Sequence, residues 1–267
     1  MIIGQEKICT RIEKSTLDSF PRSLMLVGQR GGGKHLICNY IASKFNLTIL
    51  DITDSLNVET IDEIYNRVEP YLYTIRINEI SIKEQNTILK FLEEPLKNSF
   101  IVLIAETEMG LLPTIINRCQ VWQLQNYTKE YLRTFVNNQD SYILDIAQTP
   151  GQIIELLNSP VDAMVELADK ILSNIERASI SNTLTLSDKF EFKNDLTTDK
   201  FNIHIFVDVL QGRVVSRVKS DPDKKYMTAY SLTSTLKKQL LTKNLDYKSL
   251  FERYLIELRA SLRGVTV

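Results

Sequence analysis

The sequence predicts an α/β module built on a parallel sheet, followed by an all-α region, and three observations carry that prediction. Short apolar runs alternate with helical periodicity through the first 126 residues. A glycine-rich loop stands between the first full apolar run and the helix after it. From Tyr127 onward, helical patterns follow one another with few interruptions.

The apolar runs at 24–27, 47–52, 73–77, 100–105 and 120–124 read as strands, being short and rich in aliphatic and aromatic residues. Helical periodicity fills the gaps and is clearest over 82–92. A sheet covered by helices on both faces makes its strands read as unbroken apolar runs, so Arg76 is out of pattern. Helices are expected over 127–138, 141–148, 151–158 and 161–176, punctuated by Pro150-Gly151 and Pro160. The polar stretch 179–198 reads as a linker or loop, and helices are expected again near 200–219, 226–243 and 247–262. Three domains follow: a nucleotide-type α/β module over 1–126, a small helical domain over 127–178, and a C-terminal helical domain over 179–267.

Composition narrows the function classes. A chain of 267 residues with 43% hydrophobic and 24% charged content can bury a sizeable core. No apolar run approaches the roughly 18 to 20 residues of a membrane span, and the N-terminus carries no basic-then-apolar leader, so a cytoplasmic protein with no membrane partner is expected. Cys9, Cys38 and Cys119 are odd in number and far apart, which argues against a disulfide framework and against a cysteine zinc site. His35 and His204 are the only histidines, so no metal site is expected from that residue type either. The charge is uneven, with a net −6 over 1–184 and +5 over 185–267, which a solvated helical surface accounts for as well as a polyanion partner does.

The stretch LMLVGQRGGGKHLICNYIA carries the chemistry. Gly28 to Lys34 has the spacing G-x-x-x-x-G-K, directly after an apolar strand and directly before a helix. Gly28, Gly31, Gly32 and Gly33 let the backbone turn its N–H groups toward a phosphate, the helix N-terminus adds positive potential, and Lys34 can reach the outer phosphates. The bland alternative is a glycine-rich turn that holds no ligand. Two departures mark the site. A phosphate loop of this kind places a Ser or Thr hydroxyl on Mg²⁺ at the next position, where this chain has His35, a poor ligand for that ion. The strand ending Ile77-Asn78-Glu79 is the one candidate for a second metal anchor, and it offers Asn78 where a carboxylate belongs, with Glu79 at the water-orienting position.

Further residues carry a resemblance to a known family. Ile3-Gly4-Gln5-Glu6-Lys7-Ile8 precedes it, Asn86-x-x-Leu89-Lys90-Phe91-Leu92-Glu93-Glu94-Pro95 follows the Asn78-Glu79 strand, and Leu111-Leu112-Pro113-Thr114-Ile115-Ile116-Asn117-Arg118-Cys119 follows the next strand. Together they resemble clamp-loader subunits of the AAA+ family, the delta-prime class of bacterial DNA polymerase III above all. The resemblance is detailed to about residue 160, where Ile146 to Gly151 looks like a lid-domain segment, and only architectural beyond it.

It implies an AAA+ P-loop module, a helical lid and a C-terminal collar that assembles the ring. It implies that Arg118, in Asn-Arg-Cys where the family has Ser-Arg-Cys, is an arginine finger inserted into a neighbour's ATP site. It implies other clamp-loader AAA+ subunits in a hetero-pentamer, a sliding clamp and primer-template DNA as partners, in the cytoplasm of a bacterial or phage-infected cell. The family's first sensor position falls at Ala105-Glu106, which offers no hydroxyl or amide side chain, and the lid arginine expected after Gly151 is missing, since 152–157 holds no basic residue. Weak ATP or ADP binding without efficient Mg²⁺-assisted hydrolysis, and no zinc, is therefore the expectation. A catalytically active ATPase subunit of the same machine, and a stand-alone P-loop phosphotransferase, are the rival readings at this stage.

Overall fold

A computed structural model describes residues 2–94, 99–137, 143–191, 201–220, 224–241 and 245–264. Five parallel strands, β1 (Ser23–Val27), β2 (Thr48–Asp51), β3 (Tyr71–Arg76), β4 (Phe100–Ala105) and β5 (Gln120–Gln123), stand in the order β2-β3-β4-β1-β5. Parallel neighbours require crossovers, and helices α1 (Glu6–Lys14), α2 (Lys34–Phe45), α3 (Val58–Tyr65), α4 (Ile82–Glu93) and α5 (Pro113–Ile116) alternate with the strands.

Burial follows from that layering. The central strands β1 and β4 are buried along their whole length, whereas the edge strands β2 and β5 are buried only in part. Alternate residues of each strand point to opposite faces. Met25, Tyr73, Ile75 and Leu103 join Ile88 and Phe91 of α4 on one face, and Leu24, Leu26, Val102 and Trp122 join Ile37 and Ile41 of α2 on the other. The start of α4 is fixed by a capping box, in which the Ser81 hydroxyl accepts from the Glu84 N–H and the Glu84 carboxylate accepts from the Ser81 N–H.

The register decides where the site lies. Val27 is level with Ala105 and with Gln123, and Arg76 with Ile104, so the carboxyl ends of β1, β3 and β4 form one edge. In open α/β sheets that edge is where ligands bind. It receives the glycine loop, the short 3₁₀ turn Ile77–Glu79 and Glu106 together.

The chain divides into two units, Met1–Tyr131 with Thr149–Gly151, and Leu132–Gln148 with Gln152–Val267. After the short helix α6 (Lys129–Arg133) come α7 (Pro150–Leu157), α8 (Val161–Asn174), α9 (Ile180–Leu184), α10 (Ile203–Ser220), α11 (Lys224–Gln239) and α12 (Tyr247–Leu262). The helix expected over 127–138 is only five residues long. That expected over 141–148 lies partly outside the described residues, and its described part opens with a short 3₁₀ turn.

The expected linker over 179–198 is corrected where it is described. Ser179 caps α9, a 3₁₀ segment follows, and β6 (Phe190–Glu191) pairs in parallel with β7 (Phe201–Asn202). Residues 192–198 lie outside the described residues. The reason is Phe190, 2% exposed, with its ring 4.5 Å from that of Phe206 and 4.8 Å from that of Phe251. One aromatic anchor outweighs the polar residues around it, because burying such a ring contributes more than its neighbours' solvation resists.

Candidate functional site

The glycines of the loop are used for two different properties. Gly31 and Gly33 have φ of +74° and +94°, a region closed to most side chains, and Gly33 stands immediately before α2. Gly28 and Gly32 are used for closeness. A Cβ on Gly28 would stand 2.7 Å from the Leu124 Cβ, and one on Gly32 would stand 2.9 Å from the Gln29 carbonyl oxygen.

Lys34 is 7% exposed and does not project outward. Its ammonium donates to the carbonyl oxygens of Gly28 and, at 2.9 Å, Gln29. Burial lowers its pKa below the ordinary lysine value, and the negative charge of Glu106 opposes that shift. The lysine therefore closes the loop on itself, and a phosphate reaching it competes with two carbonyl acceptors already in place. His35 is exposed on the first turn of α2.

Asn78 explains its own identity. Its side-chain oxygen accepts from the Glu106 N–H at 2.7 Å, and its side-chain NH₂ donates to the Thr107 carbonyl at 3.0 Å. It clasps the end of β3 to the loop after β4. A carboxylate could accept the first bond but not donate the second.

Glu79, the candidate water-orienting residue, is paired with Arg76 at 2.9 Å. The same guanidinium bonds Asp51 and, at 3.2 Å, Asp54. Arg76 closes β3 at its solvent end, with 28% of its side chain exposed, and its three carboxylate partners offset the cost of placing a charge in the strand pattern. Three carboxylates thus share a resident cation.

The donor set does not fit Mg²⁺. The position after Lys34 offers an exposed imidazole, Asn78 spends its side-chain oxygen on a backbone N–H, and Glu79 is held by Arg76. Among the described residues no group of three or more His, Cys, Asp or Glu side chains is placed to hold a metal ion.

Several further residues build this site, and of these Tyr127 carries no clear sequence signal, whereas Gly4, Thr149 and Gly151 lie in segments that the sequence marks without showing what they touch. The Tyr127 hydroxyl donates to the Gly32 carbonyl at 2.9 Å, and its ring lies so close to Gly4 that a Cβ there would stand 2.4 Å from it. The Thr149 hydroxyl donates to the Arg30 carbonyl at 2.8 Å, and the Gly151 N–H to the Gly31 carbonyl at 3.1 Å. Gln5 could have been found, since it sits in the Ile3-Gly4-Gln5 segment. It is fully buried and exchanges two 2.9 Å bonds with the backbone of Gln125.

Arg118 stands apart from all of these, two residues beyond α5. Its guanidinium donates to the Thr114 carbonyl at 2.9 Å and pairs at 2.5 Å with Glu93 at the end of α4. Of its side chain 35% is exposed. Cys119, next to it, is partly buried, and burial pushes its thiol up to about 12.

Comparison with known proteins places this module. Residues 72–128 match the family model described as DNA polymerase III, delta subunit. The chain is 32% identical over 114 residues to DNA polymerase III subunit delta' of Haemophilus influenzae, covering 39% of this chain and 35% of the relative. It is 39% identical over 70 residues to subunit delta' of Bacillus subtilis, covering 26% of this chain and 21% of that protein. The matches thus span about a third or less of each relative's length. Among solved structures, a DNA polymerase III gamma subunit-related protein from Thermotoga maritima superposes with a TM-score of 0.50 at 15% identity, over 97% of this chain and 100% of that one. That last likeness speaks for the fold alone.

Proposed function

With a chain related to the clamp-loader subunits of the AAA+ family as the premise, we propose that it is a non-hydrolysing subunit of a sliding-clamp loader in DNA replication. It closes one end of a hetero-pentameric AAA+ ring in the cytoplasm and presents Arg118 to the ATP site of a neighbouring subunit. The clamp and primer-template DNA are met through the assembly.

One observation carries this reading. Three side chains that would handle a metal–nucleotide complex are bonded within the chain: Lys34 to Gly28 and Gln29, Asn78 to Glu106 and Thr107, Glu79 to Arg76. Arg118 lies apart from that network, on an exposed turn where it is held only by the half-exposed Glu93 and the Thr114 carbonyl. A guanidinium brought to a γ-phosphate stabilises the charge of the transition state and needs no working site in its own subunit. Such an arginine contributes about 10³ to 10⁵ in rate when supplied in trans.

The preserved glycine spacing and Lys34 favour a second reading, an ATPase-active subunit of the same loader. Turnover of ATP by the purified chain with Mg²⁺ separates the two. No hydrolysis above background is expected. Robust hydrolysis that Lys34→Ala abolishes would replace the first reading with the second.

A further inference from the structure

We propose that Glu93 is a positioning residue for Arg118, holding its guanidinium against the home subunit and setting how readily it is delivered to a neighbour. The inference rests on the reading of Arg118 as a residue that acts in trans.

The geometry is local and specific. Glu93 is the last residue of α4, and Arg118 follows the short α5. The two ends meet so that Glu93 Oε1 takes Arg118 Nη2 at 2.5 Å while the Thr114 carbonyl takes Nη1 at 2.9 Å. Both terminal nitrogens are thereby engaged. Those are the atoms that a planar guanidinium uses for bidentate bonding to phosphate.

A carboxylate and a γ-phosphate are both anionic, so the edge facing Glu93 cannot serve a phosphate at full strength without leaving it. The pair is weak enough to yield, since 35% of the arginine and 49% of the glutamate side chain are exposed. Exposed pairs of this kind shift a population by about two- to five-fold. Glu93 therefore acts as a light catch on Arg118.

The test uses the reconstituted loader and its steady-state ATPase. Glu93→Gln keeps the shape of the side chain and removes its charge, and a rise of about two- to five-fold is expected. Glu93→Lys, which repels the guanidinium, is expected to raise the rate at least as much. The gain should shrink as ionic strength rises, because the pair is screened. It should vanish in the Glu93→Gln/Arg118→Ala double variant. A structural lesion at the end of α4 would lower the rate, so an increase is not what a merely structural role produces. Rates at or below the wild-type value in both Glu93 variants would overturn the proposal while leaving the trans role of Arg118 standing. An unchanged rate in Arg118→Ala alone would remove that role, and this inference with it.

Discussion

Gly151 lies so close upon Gly31 that a Cβ added to it would stand 2.4 Å from the Gly31 Cα. The Gly151 N–H also donates to the Gly31 carbonyl at 3.1 Å, and the neighbouring Thr149 hydroxyl donates to Arg30. The segment after the helical turn near Ile146 thus closes over the glycine loop with backbone against backbone. The glycine loop is packed against this segment at a distance that only glycine at position 151 permits.

Gly151→Ala should therefore cost about 1 to 3 kcal/mol, the usual penalty for forcing a methyl group into filled space. Chemical denaturation at neutral pH measures it. A midpoint equal to that of the unsubstituted protein would mean that the two glycines separate freely and that the loop is not closed by this contact.

Asn78→Asp restores the carboxylate that a metal anchor requires, yet it should not restore hydrolysis. The substitution keeps an acceptor for the Glu106 N–H and loses the donor to the Thr107 carbonyl, leaving that oxygen unpaired beside a new negative charge. A loss of about 1 to 3 kcal/mol in stability is expected, with no gain in Mg²⁺-dependent ATP turnover. Hydrolysis appearing in this single variant would show that one missing charge, rather than the whole closed network, had silenced the site.

Much of this was legible in the residues. The strand, glycine loop and helix could be read because glycine, lysine and the flanking patterns occur within one short window, and the strands because fully buried parallel strands leave unbroken apolar runs. The substitutions His35 and Asn78 were legible as departures from that loop. What Asn78 does instead was not legible, since its partners Glu106 and Thr107 lie 28 and 29 residues away. Arg76 read as an anomaly for the same reason, because Asp51 and Asp54 come from a different strand end. The polar stretch around Phe190 reads as a linker because its one aromatic anchor finds Phe206 and Phe251 only in the folded chain.

Alkaline pH should expose a liability at Cys38. Burial pushes its thiol from 9.0 up to about 12 in the folded chain, while the same thiol in the unfolded chain ionises near its ordinary value. Above about pH 9 the folded state therefore holds the proton and the unfolded state sheds it, so stability falls as pH rises through that window. Denaturation midpoints from pH 8 to pH 10.5 should decline, and Cys38→Ala should make the decline shallower, with the similarly raised Cys119 thiol still contributing. The thiol should also resist alkylation at pH 8 until the chain is unfolded. Equal slopes for the two proteins would contradict the assignment.

The central claim, that this chain lends Arg118 to a neighbour while its own loop is idle, is tested most directly by comparing two variants in the reconstituted loader. Arg118→Ala should fold normally and cut ATP turnover at the adjoining site by about 10³ to 10⁵, whereas Lys34→Ala should leave turnover close to the unsubstituted value. Turnover lost in Lys34→Ala and retained in Arg118→Ala would reverse the roles assigned to the two residues.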